Sequence, residues 1–249
     1  MNPTSPARPH LFGVLGALAL AAGLVFTALV LANAWTRISE SQVISVTGSA
    51  RRNVRSDLVV WRANFSVEAP SLIEAQQKLR TDHAKVAAFF KQRGFDSFFA
   101  SPVQIRELVA KRRNEDDDTV TNFRVGYRLT HAIEVRSEDV DRLPRLASDS
   151  GELLQEGVAF ESGGFEFIYT KAGEAKVEMM AEATADARDR AEKIAASGGS
   201  QVSGLRSARM GVVQINPLHS TATSWEGNND TSAVDKTITA TVAATFALR

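Results

Sequence analysis

Four histidines are the only side chains of this protein whose ordinary pKa lies near neutral pH, and the chain has no cysteine. The missing thiols exclude cysteine nucleophiles and thiolate metal sites. His10 lies in the N-terminal tail, His219 in a polar loop, and His83 beside the apolar stripe of a predicted helix. His131 falls on the inward face of an alternating strand. We expect a buried histidine that is hydrogen-bonded to a neighbour, and a general base or pH switch is the alternative.

The chain carries no recognisable catalytic constellation. No two histidines stand at metal-ligand spacing, no G-x-S-x-G turn occurs, and no glycine-rich loop follows a predicted strand. The sequence therefore predicts no enzymatic activity, no cofactor and no metal site. A hydrolase that uses a serine, an aspartate and His131 is the least favoured hypothesis.

The polar segment from Asn216 to Ala233 is the best candidate for an interaction site. Loops longer than about 12–15 residues are uncommon unless they are functional or disordered. Its composition favours a flexible hairpin tip, whereas a sharper hypothesis has Trp225 ordered against a partner subunit. The candidate interaction residues are Trp225, His219, Asn228 and Asn229.

Charge excludes one class of function. The 29 basic and 29 acidic residues cancel, which argues against a general nucleic-acid binder. The one block of like charge, Lys111–Arg113, is followed closely by Glu115–Asp118. Opposite charges on the two sides of a turn predict a solvated hairpin tip, because the acids cancel the field that a phosphate site would need.

The segment Leu11–Trp35 contains twenty-five residues without a charge. As a helix it would extend about 37 Å, more than the hydrocarbon core of a bilayer. A cleaved signal peptide is the competing interpretation, because Ala32 and Ala34 form an A-x-A site. The apolar run is long for a signal, which favours an uncleaved anchor over residues 11–36.

The flanking charges alone do not favour export of the body. Arg8 and His10 precede the span, whereas Arg37, Arg51, Arg52 and Arg55 follow it. Long domains translocate largely regardless of charge, and the tail over residues 1–10 is short. We therefore expect a single-pass inner-membrane protein with a cytoplasmic N-terminus and a periplasmic body. Secretion after cleavage near Ala34 is the alternative.

Alternating apolar and polar residues predict antiparallel strands over residues 57–68, 122–136 and 234–248. In the second of these the inward face is formed by Phe123, Val125, Tyr127, Leu129, His131, Ile133 and Val135. Gly163 and Gly164 interrupt a further strand and predict a bulge or bend.

Helical periodicity is equally clear in two segments. Ser71 is a predicted N-cap with Glu74 completing a capping box, and Gly94 ends that helix. The second helix covers about residues 172–197 and has small residues that would let it lie close to a sheet. Its apolar stripe is Met179, Met180, Ala183, Ala187, Ala191 and Ile194. A shorter helix is expected over residues 137–148 despite Pro144.

These elements repeat in the order β-α-β-β. Strand 57–68, helix 71–93 and strands 102–113 and 122–136 form the first unit, and strand 158–169, helix 171–197 and strands 200–216 and 234–248 form the second. A strand over residues 42–50 precedes them. The predicted class is α+β: a transmembrane helix followed by two β-α-β-β units with antiparallel sheets. The soluble domain would cover residues 42–249, with sub-units at about 42–150 and 151–249.

Two segments resemble the SIMPL-domain (DUF541) family. The first is Ile44–Gly48 with Asp57 before an alternating strand, and the second is the alanine-spaced helix from Ala183 closed by Gly198 and Gly199. The family includes a periplasmic oxidative-stress defence protein and an outer-membrane or periplasmic antigen. The resemblance implies an exported, self-associating α+β protein without established catalytic residues. Arg51, Arg52, Asn53 and Ser56 depart from the usual glycine-rich, proline-containing opening.

Two hypotheses of different class follow. The first is a non-enzymatic envelope protein, anchored in the membrane, whose body forms a homo-oligomer and supports envelope integrity or stress tolerance. The second is a periplasmic ligand-binding or sensory module, which requires a concave pocket with converging polar side chains.

Overall fold

The computed structural model describes residues 11–39, 42–96, 98–113 and 120–249. Its first element, helix α1 (Leu11–Ser39), contains the apolar segment Gly13–Trp35, which is long enough to cross a membrane. None of that segment is buried against the rest of the chain. The predicted apolar helix is confirmed, and its length and exposure suggest a membrane anchor or a signal sequence.

The body is built from nine strands and four further helices in the described residues. The strands are β1 (Val43–Arg55), β2 (Leu58–Ala69), β3 (Phe99–Ala100), β4 (Gln104–Arg113), β5 (Val120–Ser137), β6 (Ala159–Ile168), β7 (Val202–Met210), β8 (Gln214–Pro217) and β9 (Asp235–Leu248). The helices are α2 (Leu72–Gln92), α3 (Arg142–Asp149), α4 (Glu152–Gln155) and α5 (Ala172–Ser197). The predicted α+β class with antiparallel sheets is confirmed.

Strand pairing does not follow the sequential order of the two predicted repeats, and the predicted single strand over residues 200–216 is divided into β7 and β8. One sheet has the order β3-β5-β2-β6, with β4 paired to β5; the other has the order β1-β9-β7, with β8 paired to β9. The first strand of the second repeat, β6, therefore pairs with β2 of the first. The leading strand β1 pairs with β9. The alternation of apolar and polar residues identifies the strands and their inward faces, but it does not determine which strands pair with each other.

The predicted helix boundaries have clear local causes. The Ser71 hydroxyl accepts a hydrogen bond from the Glu74 backbone N–H at 3.3 Å, and Gly94 adopts a positive φ of 77° after the last turn of α2. Helix α3 begins at Arg142, five residues later than expected. The Asp139 carboxylate accepts from the Arg142 backbone N–H, and Pro144 then occupies the first turn, where its missing donor costs little.

Two compact units share these elements. One contains residues 50–182 and 211–241, and the other contains the described residues through Ser49 with 183–210 and 242–249. The first has an aromatic-rich core in which Trp61, Phe65 and Phe90 are fully buried. In the second, a Cβ on Gly48 of β1 would lie 2.1 Å from the Ala183 backbone oxygen. The small residues of α5 therefore allow the predicted close approach of helix and strand.

Two details of the predicted faces differ. Ile194 is exposed, and Ala195 takes the buried position at the end of the α5 stripe. Gly163 lies where the β2–β6 register shifts between Trp61 and Ala63, and a Cβ there would lie 2.4 Å from the Arg62 backbone oxygen. The predicted bulge is thus confirmed, and only glycine leaves room for the neighbouring backbone.

Candidate functional site

The loop between β8 and β9, residues 218–234, is attached to β8 by side-chain amides. Gln214 and Asn216 are buried polar residues of β8. The Gln214 amide oxygen accepts from the backbone N–H groups of Ser224 (3.2 Å) and Asn228 (3.0 Å), and its nitrogen donates to the Ser224 oxygen. The Asn216 amide nitrogen donates to the Ala222 oxygen at 2.6 Å. Buried amides with satisfied partners hold this loop in a defined conformation.

The backbone of the loop also pairs with β8. The Ile215 N–H donates to the Asn228 oxygen at 2.8 Å, and the Asp230 N–H donates to the Ile215 oxygen at 3.0 Å. Asn228 further donates from its side chain to Asn216. Of the candidate interaction residues, Asn228 therefore has a structural role, and Asn229 is exposed at a bridge to Ile215.

The remaining two candidates face solvent. Trp225 is 84% exposed, although Ser224 before it and Asn228 three residues after it are hydrogen-bonded to Gln214 of β8. His219 is exposed in a positive-φ conformation of 68°, which is uncommon for a residue with a side chain. The structure places these two residues on one ordered loop and assigns neither of them a partner within the described chain.

Lys236 of β9 lies under this loop and is 1% exposed. Its ammonium donates to the backbone oxygens of Phe167 (2.6 Å) and Asp230, and the Asp230 carboxylate lies 3.8 Å away. Burial lowers the pKa of Lys236, and the Asp230 charge opposes that shift. Burial would raise the pKa of Asp230, but hydrogen bonds from Ser232 and Ala233 and the Lys236 charge hold it below its usual value.

The β4–β5 hairpin extends beyond the rest of its sheet. Strand β2 ends at Ala69 opposite Tyr127, so residues 120–126 of β5 pair with β4 alone. We call residues 104–113 and 120–126 the arm. The predicted inward face is buried at Leu129, Ile133 and Val135, but its continuation through the arm is exposed. The large exposed apolar residues of the arm are Ile105, Val109, Val120, Phe123 and Val125.

An open apolar groove lies beside the base of the arm. It has a volume of about 440 Å³ and runs between the first turns of α2 and strand β4. We call it the α2–β4 groove. Its lining residues are Leu72, Ile73, Gln76, Gln77, Arg80, Ile105 and Leu129. Ile73 is 73% exposed here and lines the groove together with the exposed Leu72 and Ile105.

His83 and His131, which are far apart in the sequence, form a stacked pair. The rings of His83 and His131 lie 5.5 Å apart at an interplanar angle of 24°, next to Phe65 and Phe98. Burial and the neighbouring His83 lower the pKa of His131, and a hydrogen bond with the Ser101 backbone opposes the shift. In the described residues, the His131 ring is surrounded by the rings of Phe65 and His83 and by the Ser101 backbone rather than by a serine–aspartate set. Within the described part of the chain, no three His, Asp or Glu side chains cluster as metal ligands would.

A second open cavity of about 470 Å³ lies on the outer face of the β1-β9-β7 sheet. Ser45, Thr47, Ser207, Arg209 and Thr245 contribute its polar side chains. The hydroxyl groups of Ser45 and Thr245 already bond to each other at 2.9 Å. The charged tip between β4 and β5, residues 114–119, lies outside the described residues, as do His10 and the N-terminal tail.

Sequence reasoning missed two of these residues, although a signal existed for each. Lys236 stands two residues before Ile238, so the alternation of β9 places it on the inward face. His83 stands four residues after Leu79 and three before Val86, so helical spacing places it on the buried stripe of α2.

One comparison with known proteins identifies a relationship. A family model described as SIMPL, protein of unknown function (DUF541), matches residues 44–246, which is more than half of the chain. No curated protein matches the chain significantly.

Proposed function

The chain belongs to the SIMPL (DUF541) family, and on that basis we propose that it is a non-enzymatic, membrane-anchored envelope protein that assembles with copies of itself. Helix α1 anchors the chain in the inner membrane with residues 1–10 in the cytoplasm. The body lies in the periplasm, where the assembly supports envelope integrity or stress tolerance.

The anchor is supported by the exposure of α1. An apolar helix of this length that packs on nothing exposes a surface that water does not favour and that a bilayer covers. Trp35 near its end is 73% exposed, at a position that suits the aromatic belt of a membrane interface.

Self-assembly is supported above all by the exposed arm. Val109, Phe123 and Val125 are large apolar residues on a two-stranded ribbon that no other described element covers. An isolated ribbon is marginally stable in water, and an exposed apolar edge is a template for pairing with another chain. A second copy of the same chain would cover this exposed apolar surface.

The non-enzymatic part of the proposal rests on the surroundings of the histidines. His131 is packed against His83 and Phe65, and within the described part of the chain its ring has no hydrogen-bonded hydroxyl and carboxylate of the kind a nucleophilic triad uses. A hydrolase activity that His131→Ala abolished would overturn this part.

The experiment is a measurement of the mass of the native particle and of its N-terminus. The full chain, extracted in detergent, is expected to form particles several times the mass of one chain at micromolar concentration. Intact mass spectrometry should find the sequence before Ala34 retained. A clean monomer in light scattering would contradict self-assembly, and a chain found free in the cytosol would contradict the anchor.

A further inference from the structure

We propose that the sheet face opposite helix α2 binds a saccharide that carries one carboxylate, and that Arg106 and Arg128 hold this carboxylate. The inference is independent of self-assembly, because one copy of the chain carries the whole site within one compact unit. It concerns the ligand-binding alternative that the sequence left open, which requires a concave pocket with converging polar side chains.

An open cavity of about 500 Å³ lies on this face, which is within the size range of small-molecule sites. Trp61 and Phe65 of β2 pack against aromatic rings of α2. Asn64 and Ser66 alternate with them along β2 and therefore point to the opposite side of the sheet. Strands β4, β5, β2 and β6 all contribute to the cavity. Its polar lining besides the two arginines is Asn64, Ser66, Gln104, Thr130 and Glu161.

Two arginines form the positive end of the cavity. Arg106 of β4 lies directly opposite Arg128 of β5, an arrangement of like charges that destabilises a sheet. The Glu68 carboxylate accepts a hydrogen bond from Arg128 Nε at 2.7 Å and neutralises that residue. The Arg106 guanidinium forms neither a hydrogen bond nor an ion pair with any described residue. One positive charge is therefore left over, and a carboxylate between the two guanidiniums would neutralise it.

The other half of the same sheet face has no such surplus. The Arg62 guanidinium donates to Glu134 at 2.9 Å and to Glu166 at 2.6 Å. Glu134 also accepts from Arg136 at 2.7 Å. Two arginines and two glutamates thus satisfy each other there. The unpaired charge is particular to the cavity and is not a general property of this face.

A row of uncharged polar side chains forms the middle of the cavity. Gln104 of β4 lies opposite Thr130 of β5, and Thr130 lies opposite Ser66 of β2. The side chains of these three residues form no hydrogen bond with other described residues. One amide and two hydroxyl groups offer both donors and acceptors, and the hydroxyl groups of a sugar need both.

Glu161 of β6 lies at the other end of the cavity, opposite Asn64 of β2. Its carboxylate has no hydrogen bond or ion pair with the described part of the chain. A carboxylate at this end accepts hydrogen bonds from ligand hydroxyl groups but repels a second anionic group. The cavity therefore selects a ligand with one carboxylate at the β4–β5 end and hydroxyl groups toward β6. An acidic saccharide has this chemistry, whereas a polyanion does not.

The test is isothermal titration calorimetry on the full chain in a detergent without a sugar headgroup. Lactobionate, a disaccharide with one carboxylate, is the probe; lactose is its neutral counterpart, and acetate is a carboxylate without hydroxyl groups. We expect lactobionate to bind at least roughly tenfold more tightly than either, because a charge-assisted hydrogen bond contributes about that factor. Equal affinity for lactobionate and lactose would overturn the carboxylate site. Equal affinity for lactobionate and acetate would overturn the saccharide as ligand.

Two variants test the two ends of the cavity. Arg106→Gln should remove the preference for lactobionate over lactose, whereas Glu161→Gln should weaken the binding of both sugars and keep the preference. The matched control is Arg80→Gln, which removes the same charge from an exposed position on α2 and should bind like the wild type. A preference that persists in Arg106→Gln, or that falls equally in Arg80→Gln, would overturn the assignment of the carboxylate to Arg106.

Light scattering and circular dichroism of the same samples separate this inference from the proposed function. Arg106 is exposed at the base of the arm, on the face of the ribbon away from Phe123, so its substitution should change neither the particle mass nor the fold. An assembled wild-type chain that does not bind lactobionate would overturn the site and leave self-assembly standing. A monomeric wild-type chain that binds it would overturn self-assembly and support the site.

Discussion

The β4–β5 and β8–β9 hairpins each lie at the end of one of the two predicted β-α-β-β units, but different interactions hold their outer parts. In the second hairpin, Gln214 and Asn216 hydrogen-bond the returning loop, and Lys236 lies buried beneath it. In the first, the strands extend past β2 and expose Val109 and Phe123. The second hairpin is stabilised by contacts within the chain, whereas the first exposes apolar surface that no other described element covers. Four experiments would sharpen or break this contrast.

The largest effect is expected for Lys236→Met. The Phe167 and Asp230 oxygens would lose their donor and the Asp230 carboxylate its cation, at a cost of about 3–5 kcal/mol. Urea unfolding of the detergent-solubilised chain measures this. Adding Asp230→Asn should recover part of the lost free energy of unfolding. An unchanged urea midpoint for Lys236→Met alone would show that the buried ammonium is not essential to the second hairpin.

Gln214→Leu comes next. The backbone N–H groups of Ser224 and Asn228 would lose their acceptor, which should lower the free energy of unfolding by about 1–3 kcal/mol. Hydrogen exchange over residues 222–228 should become faster while exchange in β5 stays slow. Gln201→Leu, at an exposed position, is the control. Equal exchange in both variants would contradict the role of the amide.

A smaller, pH-dependent effect is expected at the histidine stack, which supports the covered half of β5. Because the folded-state pKa of His131 lies below its ordinary value, the native state favours the neutral ring. That stability is fully present above the ordinary histidine pKa of about 6.5 and is lost as the pH falls through the folded-state value.

His131→Phe should therefore flatten the pH dependence of unfolding below about pH 6.5, the ordinary histidine pKa. Burial raises the pKa of Asp82, and the charges of Lys85 and Lys78 oppose that shift. Asp82 is present in both proteins, so its contribution cancels when the free energies of unfolding of the wild type and the variant are subtracted. Parallel curves for the two proteins would show that His131 titrates normally in the fold.

The smallest effect on stability is expected for Phe123→Ser. An exposed arm residue should change the free energy of unfolding by no more than about 0.5 kcal/mol, although the mass of the particle should fall. Light scattering and urea unfolding of the same sample measure both. A large loss of stability with the assembly intact would place Phe123 in the fold of its own chain and remove the contrast between the hairpins.

Several features could be predicted because their causes are local. The Ser71 cap, the end of α2 at Gly94 and the bulge at Gly163 depend on residues close in sequence or on the requirement for glycine. The inward residues of β2, β5 and β9 follow from alternation. The pairing of β6 with β2 and of β1 with β9 was not accessible, because alternation is equally satisfied by any partner strand.

The candidate site shows the same division. Composition alone favoured a flexible loop after β8, but it could not show that two amides of β8 would be buried beneath that loop. Alternation correctly placed Phe123 and Val125 in phase with Leu129, yet it could not show that β2 ends at Ala69 and leaves them uncovered. Burial depends on which element lies opposite, and that information is non-local.

The residue pattern was sufficient for the N-terminal apolar helix, the α+β class, the strands with their inward faces and the membership of the SIMPL family. These features depend on the hydrophobic period, on the length of apolar runs and on capping residues. All three are local in the sequence and do not depend on how distant segments pack. The stacked His83–His131 pair, the buried Lys236, the ordered loop and the uncovered arm arose only when distant segments packed. Each depends on contacts between residues far apart in the chain, and the desolvation and hydrogen bonds that define them do not exist before those segments meet.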